Sequence, residues 1–261
     1  MNFPKFRLLD LSVTLSNNPH TDPPGLGPKI DYIDHKQQLA ELAHMFPGLK
    51  PEDLPDAEGL GVERFQGTAH NGTHLDAPWH YASTMDGGQP AMTIDQMPLE
   101  WCFQPGVKLD FRHFADGYLV QPADIDAELA RIGHVLQPLD IVVVNTGAGA
   151  HYGEPGYIDK GCGFGRAATL HLLHQGVRIV GTDAWSWDAP MKFTRQRYAE
   201  TGDASLIFEG HKAGRERGYG QIEKLGNLEA LPSTGFWISC FPYKIERGSA
   251  GFIRAVAFLP A

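Results

Sequence analysis

The stretch His70-Asn71-Gly72-Thr73-His74-Leu75-Asp76-Ala77-Pro78-Trp79-His80 constrains this chain more than any other, because it asks distant side chains of matched chemistry to meet. It places three histidines and one carboxylate within eleven residues, in a chain with 12 His in all. Imidazole with carboxylate is a donor set for Zn, Mn or Fe, and the lack of thiolate argues against a structural zinc site. Positions 70, 74, 76 and 80 share one parity, so an extended strand would aim all four the same way. A straight strand still fails, since it would set residues 70 and 76 about 20 Å apart, whereas the ligands of one ion lie about 2 Å from it. A helix aligns i with i+4 but turns i+6 well off that face. The chain must therefore bend. Asn71-Gly72 is a strong turn dipeptide. The expected geometry has His70 at the turn, His74 and Asp76 on a short extended piece, and Pro78 bending the chain to return His80 over a metal.

The same stretch reads H-x-G-T-H-x-D-x-P-x-H, and in this the chain resembles the cyclase family of metal-dependent hydrolases, which includes bacterial kynurenine formamidase, isatin hydrolase and trans-dienelactone hydrolase. Every fixed position of that motif is present. The resemblance implies that His70, His74 and Asp76 bind a divalent metal and that His80 moves protons. It also implies a single α/β domain over residues 1–261, with a mixed sheet, β-α-β units and a swivelling β/β/α architecture. Further along, His211 and Glu223 are ordinary loop residues when taken by themselves. The family carries a late His, then a Glu twelve residues on, before a Leu-x-Asn-Leu run, and Glu223-Lys224-Leu225-Gly226-Asn227-Leu228 matches it at that distance from His211. The resemblance therefore implies that His211 and Glu223 complete the coordination of one ion or build a second site. The ligands do not separate Zn from Mn, and one or two ions remain open.

Length and composition set the frame for such a site. The 261 residues allow one large domain or two small ones, and 42% hydrophobic with 20% charged residues describes an ordinary globular chain. Net charge is −9, with no basic run, which argues against nucleic acid and anionic membranes as partners. Cys102, Cys162 and Cys240 are far apart and form no C-x-x-C, which fits a reducing cytoplasm without a disulfide scaffold. Met1 to Lys5 leads into no sustained apolar region, so no secretion signal is expected, and no apolar run has the length of a membrane span. A cytoplasmic homo-oligomer, dimer or tetramer, acting on a small molecule is the expected setting.

Along the chain, Phe6 to Ser16 reads as a first strand. Pro19 to Lys29 holds four prolines and two glycines and reads as a loop, and His35 to Phe46 as a short amphipathic helix. Residues 19–62 look like an insertion, either a lid or an oligomer contact. Val62 to Ala69 leads into the motif. Val107 to Phe111 is a strand, Pro122 opens a helix that runs to Ile132, and Asp140 to Thr146 is a buried strand. Phe164 to Gln175 is a helix, with Ala167, Leu170 and Leu173 on its apolar face, and Val177 to Thr182 the next strand, which makes a β-α-β unit with parallel strands. Asp183 at its carboxyl end either orients a ligand or closes a turn. Gly147-Ala148-Gly149 lacks the third glycine of a nucleotide fingerprint. His171 and His174 read as helix-surface residues. Gly214 to Gly220 reads as an exposed flexible turn, Ile222 to Leu228 as a short helical or extended piece, and Phe236 to Cys240 and Phe252 to Leu259 as closing strands.

For function, the motif implies metal-bound hydroxide attacking an acyl carbon, with His80 carrying the proton. No G-x-S-x-G occurs, and Cys162 has no partner base nearby in sequence. Trp79, inside the motif, is the candidate substrate-binding aromatic; Trp185, Trp187 and Phe193 are weaker candidates. The expected reaction is hydrolysis of an acyl C–N or C–O bond, opening a cyclic amide or lactone of the isatin or dienelactone type. The alternatives are an arylformamidase acting on N-formylkynurenine and a metal-binding scaffold without catalysis.

Overall fold

The computed structural model describes residues 5–260; Met1 to Pro4, read above as part of a start without a secretion signal, and Ala261 lie outside them. A nine-stranded mixed sheet forms the body. Its centre is four parallel strands in the order Phe103–Asp110, Ile141–Asn145, Ile179–Thr182 and Gly220–Glu223. The helices Pro122–Ile132 and Arg166–His174 connect successive members, so the expected β-α-β units are present. On one side Phe236–Ser239, Val256–Pro260 and Phe6–Asp10 are added antiparallel, and on the other His74–Asp76 and Ala250–Phe252.

Strand parity divides the interior into two cores. Val142, Val144 and Val180 face the helices, where they pack with Ile125, Leu129, Leu172 and Leu173. Ile141, Val143 and Ile179 face the other way, into a cluster with Leu75, Ile222, Phe236, Ile238 and Leu259. Each such side chain stabilises the fold by about 1.5–3 kcal/mol when fully buried, and burial on both faces explains the unbroken apolar run at residues 141–144. The second cluster joins residues from strands near opposite ends of the sheet, which requires the sheet to curl on itself. Two further observations agree. Ser12 pairs antiparallel with Leu225. Only residues 253–255 separate strand Ala250–Phe252, at one end of the sheet order, from Val256–Pro260, near the other; four chain steps cover at most about 14 Å.

Several expected boundaries change. The first strand stops at Asp10, after which Leu11 crosses to the Leu225–Gly226 segment. Phe252 to Leu259 is two strands, because the chain changes partner at residues 253–255. Val62–Gln66 does not join the main sheet; it pairs with Lys29–Ile33 in a hairpin that carries the helix His35–Met45. That helix has a capping box between Asp34 and Gln37, yet Met45 is 69% exposed, so it lies on the core only lightly. In the helix Arg166–His174, Ala168 and Leu172 are buried while Ala167 is exposed.

Residues 214–220 are less exposed than expected: Arg215 and Glu216 are exposed, but Gly214, Gly218, Tyr219 and Gly220 are buried as the chain runs from a short turn into the strand Gly220–Glu223, and His211 before them is buried in the short helix Glu209–Lys212. The glycines serve close packing: a Cβ on Gly214 would stand 2.4 Å from the Tyr81 ring. The helix Met191–Thr201 had no sequence reading, and its buried contacts are few. No helix among the described residues is long and apolar enough to cross a membrane.

Candidate metal centre

The motif bends as its chemistry requires. Gly72 adopts φ +60, His74–Asp76 is a three-residue strand, and Pro78 opens the four-residue helix Pro78–Tyr81 that carries His80. The strand is fully buried. Leu75 enters the core, while His74 and Asp76 face the opposite side by strand alternation. Antiparallel pairing then sets Glu223 beside His74 and Gln221 beside Asp76. A local bend and one cross-strand register thus supply four polar side chains to a single face.

Asp76 is the hub. Its Oδ1 lies 2.9 Å from His70 Nδ1 and 3.3 Å from His74 Nε2. Its Oδ2 lies 4.0 Å from both His80 Nε2 and His211 Nε2. Glu223 closes the ring, with Oε2 3.6 Å from His74 Nε2 and Oε1 3.7 Å from His211 Nε2. Donor atoms converge in two sets that share Asp76: His70, Asp76 and His80, and His74, Asp76 and Glu223. Five of the six residues singled out as metal or proton-carrying groups fall in these sets; His211 stands beside them through its 4.0 and 3.7 Å approaches to Asp76 and Glu223 but belongs to neither.

A divalent cation fits this arrangement. His74 Nε2 and both Asp76 oxygens are buried without a partner in hydrogen-bonding geometry. Leaving such groups unpaired costs about 1–3 kcal/mol each, and more where charged. The imidazoles are also aimed. His74 Nδ1 sits 2.9 Å from the Gly72 carbonyl, so a proton on Nδ1 leaves Nε2 free as a donor. His211 Nδ1 meets the Asp188 carboxylate, which also accepts from the Gly210 and His211 amides at 2.8 and 3.1 Å. His70 Nε2 contacts Ser249 Oγ at 3.0 Å. Glu223 Oε1 accepts from the Trp187 amide and the Gln221 side chain.

The charges in this cluster oppose burial. Burial works against the Asp76 carboxylate, and the imidazoles of His74, His80 and His70 outweigh it, holding its pKa well below the usual range. Burial pulls His211 down, but Asp188, then Glu223 and Asp76, raise it to about 9. His70 is likewise pulled down by burial and carried above its ordinary value by Asp76. His80 goes the other way: burial, reinforced by the other imidazoles and opposed by Asp76, lowers it to about 4. His80 is thus neutral at pH 7.

A cavity of about 280 Å³ opens above the cluster, lined by His70, His80, His211 and Glu223 together with Trp185, Phe208 and Lys224. Asp22 and Leu26 also line it, so the proline-rich segment covers the site of its own chain. That segment is pinned. Lys224, 1% exposed and at φ +59, pairs with Asp22 and donates to the His70 carbonyl at 2.9 Å. Asn71 and Trp185 Nε1 also donate to Asp22. Trp79 is 46% exposed beside His80, Trp187 is buried in the core, and Phe193 packs on Gly117; Trp185 is the tryptophan in the cavity wall.

Sequence reasoning missed Asp188, Gln221, Ser249, Lys224 and Asp22. Asp188 stands 23 residues before His211, and no spacing rule connects them. Other candidates resolve into structure. Asp183 accepts from Thr146, Gly147 and Gly149, which closes the turn after Ile141–Asn145 and fills the place an anion would take in that glycine loop. His171 pairs with Asp126 on the surface. Burial pushes the Cys162 thiol up to about 12, which excludes a thiolate nucleophile.

Solved structures share this architecture. An isatin hydrolase bound to the product analogue thioisatinate aligns with TM-score 0.75 and 20% identity, over 98% of this chain and 93% of that one. Isatin hydrolase A from Ralstonia solanacearum aligns with TM-score 0.75 and 23% identity, over 97% and 92%. Isatin hydrolase A from Labrenzia aggregata, bound to benzyl benzoate, gives 0.72 and 21%, over 98% and 94%. These likenesses establish the fold. The sequence model described as Putative cyclase matches residues 9–189, which contain the whole motif and end before His211. With the motif, the curled sheet and the donor cluster in agreement, the chain belongs to the putative cyclase family.

Proposed function

We propose that this chain is a metal-dependent hydrolase that opens a cyclic amide or lactone. The observation that carries the reading is Asp76: a wholly buried carboxylate with neither oxygen in a hydrogen bond of good geometry, ringed by His70, His74, His80 and His211. His70, His74, Asp76, His211 and Glu223 would hold one or two ions, Zn or Mn, with Asp76 common to both donor sets. A divalent ion there lowers the pKa of water toward 7 and polarises an acyl carbonyl.

The chain's own residues do the rest. His80, neutral and partly open to the cavity, takes the proton from water and passes it to the leaving nitrogen or oxygen. Asp188 keeps His211 Nε2 turned inward. Trp185 and Phe208 wall the cavity against a flat substrate, whereas Trp79, on the helix that carries His80, is not part of that wall. Asp22 and Leu26 limit the access of water from the outer side. Solved structures of the same fold hold isatin-derived and aromatic ligands, which favours a cyclic aromatic substrate over the open-chain formamide.

The test is metal analysis of protein purified without added metal, followed by assays of the Zn- and Mn-loaded protein on isatin, a dienelactone and N-formylkynurenine. Opening of a cyclic compound is the expected result. Preferential cleavage of N-formylkynurenine would replace the proposal with the formamidase reading. Metal retention with no turnover on any of the three would favour the scaffold.

A further inference from the structure

A second cavity, of about 230 Å³, adjoins the one above the metal-ligand cluster. Ser186, Met191 and Phe208 line both, so the two share a wall and are not separate features of the surface. The outer lining comes from Ala189, Thr194, Arg195, Tyr198 and Ile207, on and around the helix Met191–Thr201, with the Arg195 guanidinium lying against Met191 Sδ at 3.9 Å. Asp188 reaches this cavity too, but its carboxylate oxygens are engaged by Gly210 and His211. What remains facing the space is mostly hydrocarbon.

The shared wall has an unusual backbone. Phe208 adopts φ +55, a left-handed conformation that costs a bulky residue free energy and is kept where function requires it. It sets the ring edge-on to His211, at 5.6 Å between centroids, at the junction of the two cavities. Met191, the other hydrophobic partition residue, is unbranched and adapts its shape to a neighbour. Taken singly, each cavity is below the usual size of a small-molecule site, about 300–1,000 Å³; joined, they fall within it.

We propose that the second cavity is a subsite for an apolar alkyl or aryl arm, so that the preferred substrate is a cyclic amide or lactone bearing a hydrocarbon substituent. The proposal rests on the hydrolase reading for the reacting group and on the cavity itself for the arm. Met191 and Phe208 pass the arm between the two spaces, and Tyr198 and Ile207 cover its far end.

Straight-chain hydroxamates separate the two readings, because the hydroxamate group chelates a divalent ion without turnover. Calorimetric titration of the Zn-loaded protein with the series from acetohydroxamate to octanohydroxamate is expected to show about four-fold tighter binding per methylene that enters the cavity. The ratio of octano- to acetohydroxamate affinity should then exceed about fifty. Ile207→Trp, which fills the cavity from its outer end, should bring that ratio within about three-fold of unity, and Thr194→Leu, which narrows it from the helix, should lower it as well. A ratio near one in the unaltered protein, or one that persists in both folded variants, overturns the subsite. A steep ratio in a protein that opens no lactone or cyclic amide keeps the subsite and rejects the hydrolase reading.

Discussion

Asp76 shows how one side chain can define a site. A carboxylate with no exposure would ordinarily be paired by a fixed cation or by several donors, and here it is surrounded by imidazoles held by other partners. His80 differs from the rest: burial keeps it neutral, and it stands on a helix of its own, partly open to the cavity. His80→Ala should lower kcat by roughly two to four orders of magnitude while bound metal is retained. Loss of metal together with activity would instead make His80 a ligand, a role its place in one donor set allows. Asp188→Ala removes the partner that aims His211; metal affinity should fall about 10–100-fold, measured by competition with a chelator. His70, His74, Asp76 and His80 were legible because they meet through a bend contained in eleven residues. Asp188 was not, because the contact that gives it meaning spans 23 residues of loop and helix.

Among the elements, the segment from Pro19 to Pro28 does the most with the least regular structure. It lies against the site through Asp22, whose buried partner Lys224 directly follows a candidate ligand. Lys224→Ala leaves the buried Asp22 charge with only the neutral donors Asn71 and Trp185, so it should destabilise the protein by about 3 kcal/mol. Replacing both residues, as Asp22→Asn with Lys224→Met, should cost less than the single change. Urea melts of the three proteins check the order, and limited proteolysis should find cleavage near residues 19–28 earlier in the single variant. The sequence showed this segment as a proline-rich loop but not what anchors it, since a lysine in a Glu-Lys-Leu run looks solvated until its neighbours fold over it. Gly214 to Gly220 was misread for a related reason. Its charged residues suggested an exposed turn, while Gly214 admits the Tyr81 and Tyr219 rings.

The molecule as a whole ties the site to folding. His74 and Asp76 lie on a strand between Gly220–Glu223 and Ala250–Phe252, and Leu75 between them is part of the core. A cation that binds only this folded arrangement stabilises it by mass action, by about 2.7 kcal/mol at a free concentration one hundred times its Kd. For a chain of this size that is a rise in Tm of roughly 5–10 °C. Thermal melts before and after chelation should show that loss, and readdition of Zn or Mn should reverse it. An unchanged Tm would mean that the cluster holds no stabilising ion.

By itself the sequence determined the parts whose cause is local. The bend at Asn71-Gly72, the extended His74–Asp76, the change of direction at Pro78 and the parallel strands around residues 141–145 and 179–182 all follow from turn chemistry, parity and apolar runs. Tertiary structure decided which remote groups complete them. Glu223 faces His74 through strand register, Asp188 meets His211 because a helix returns there, and the curl of the sheet lets strand 250–252, at one end of the sheet order, run within four chain steps into strand 256–260, next to the other end. Such contacts depend on chain closure over long separations, and the free energy that selects them is spread over two buried cores and written in no short run of residues.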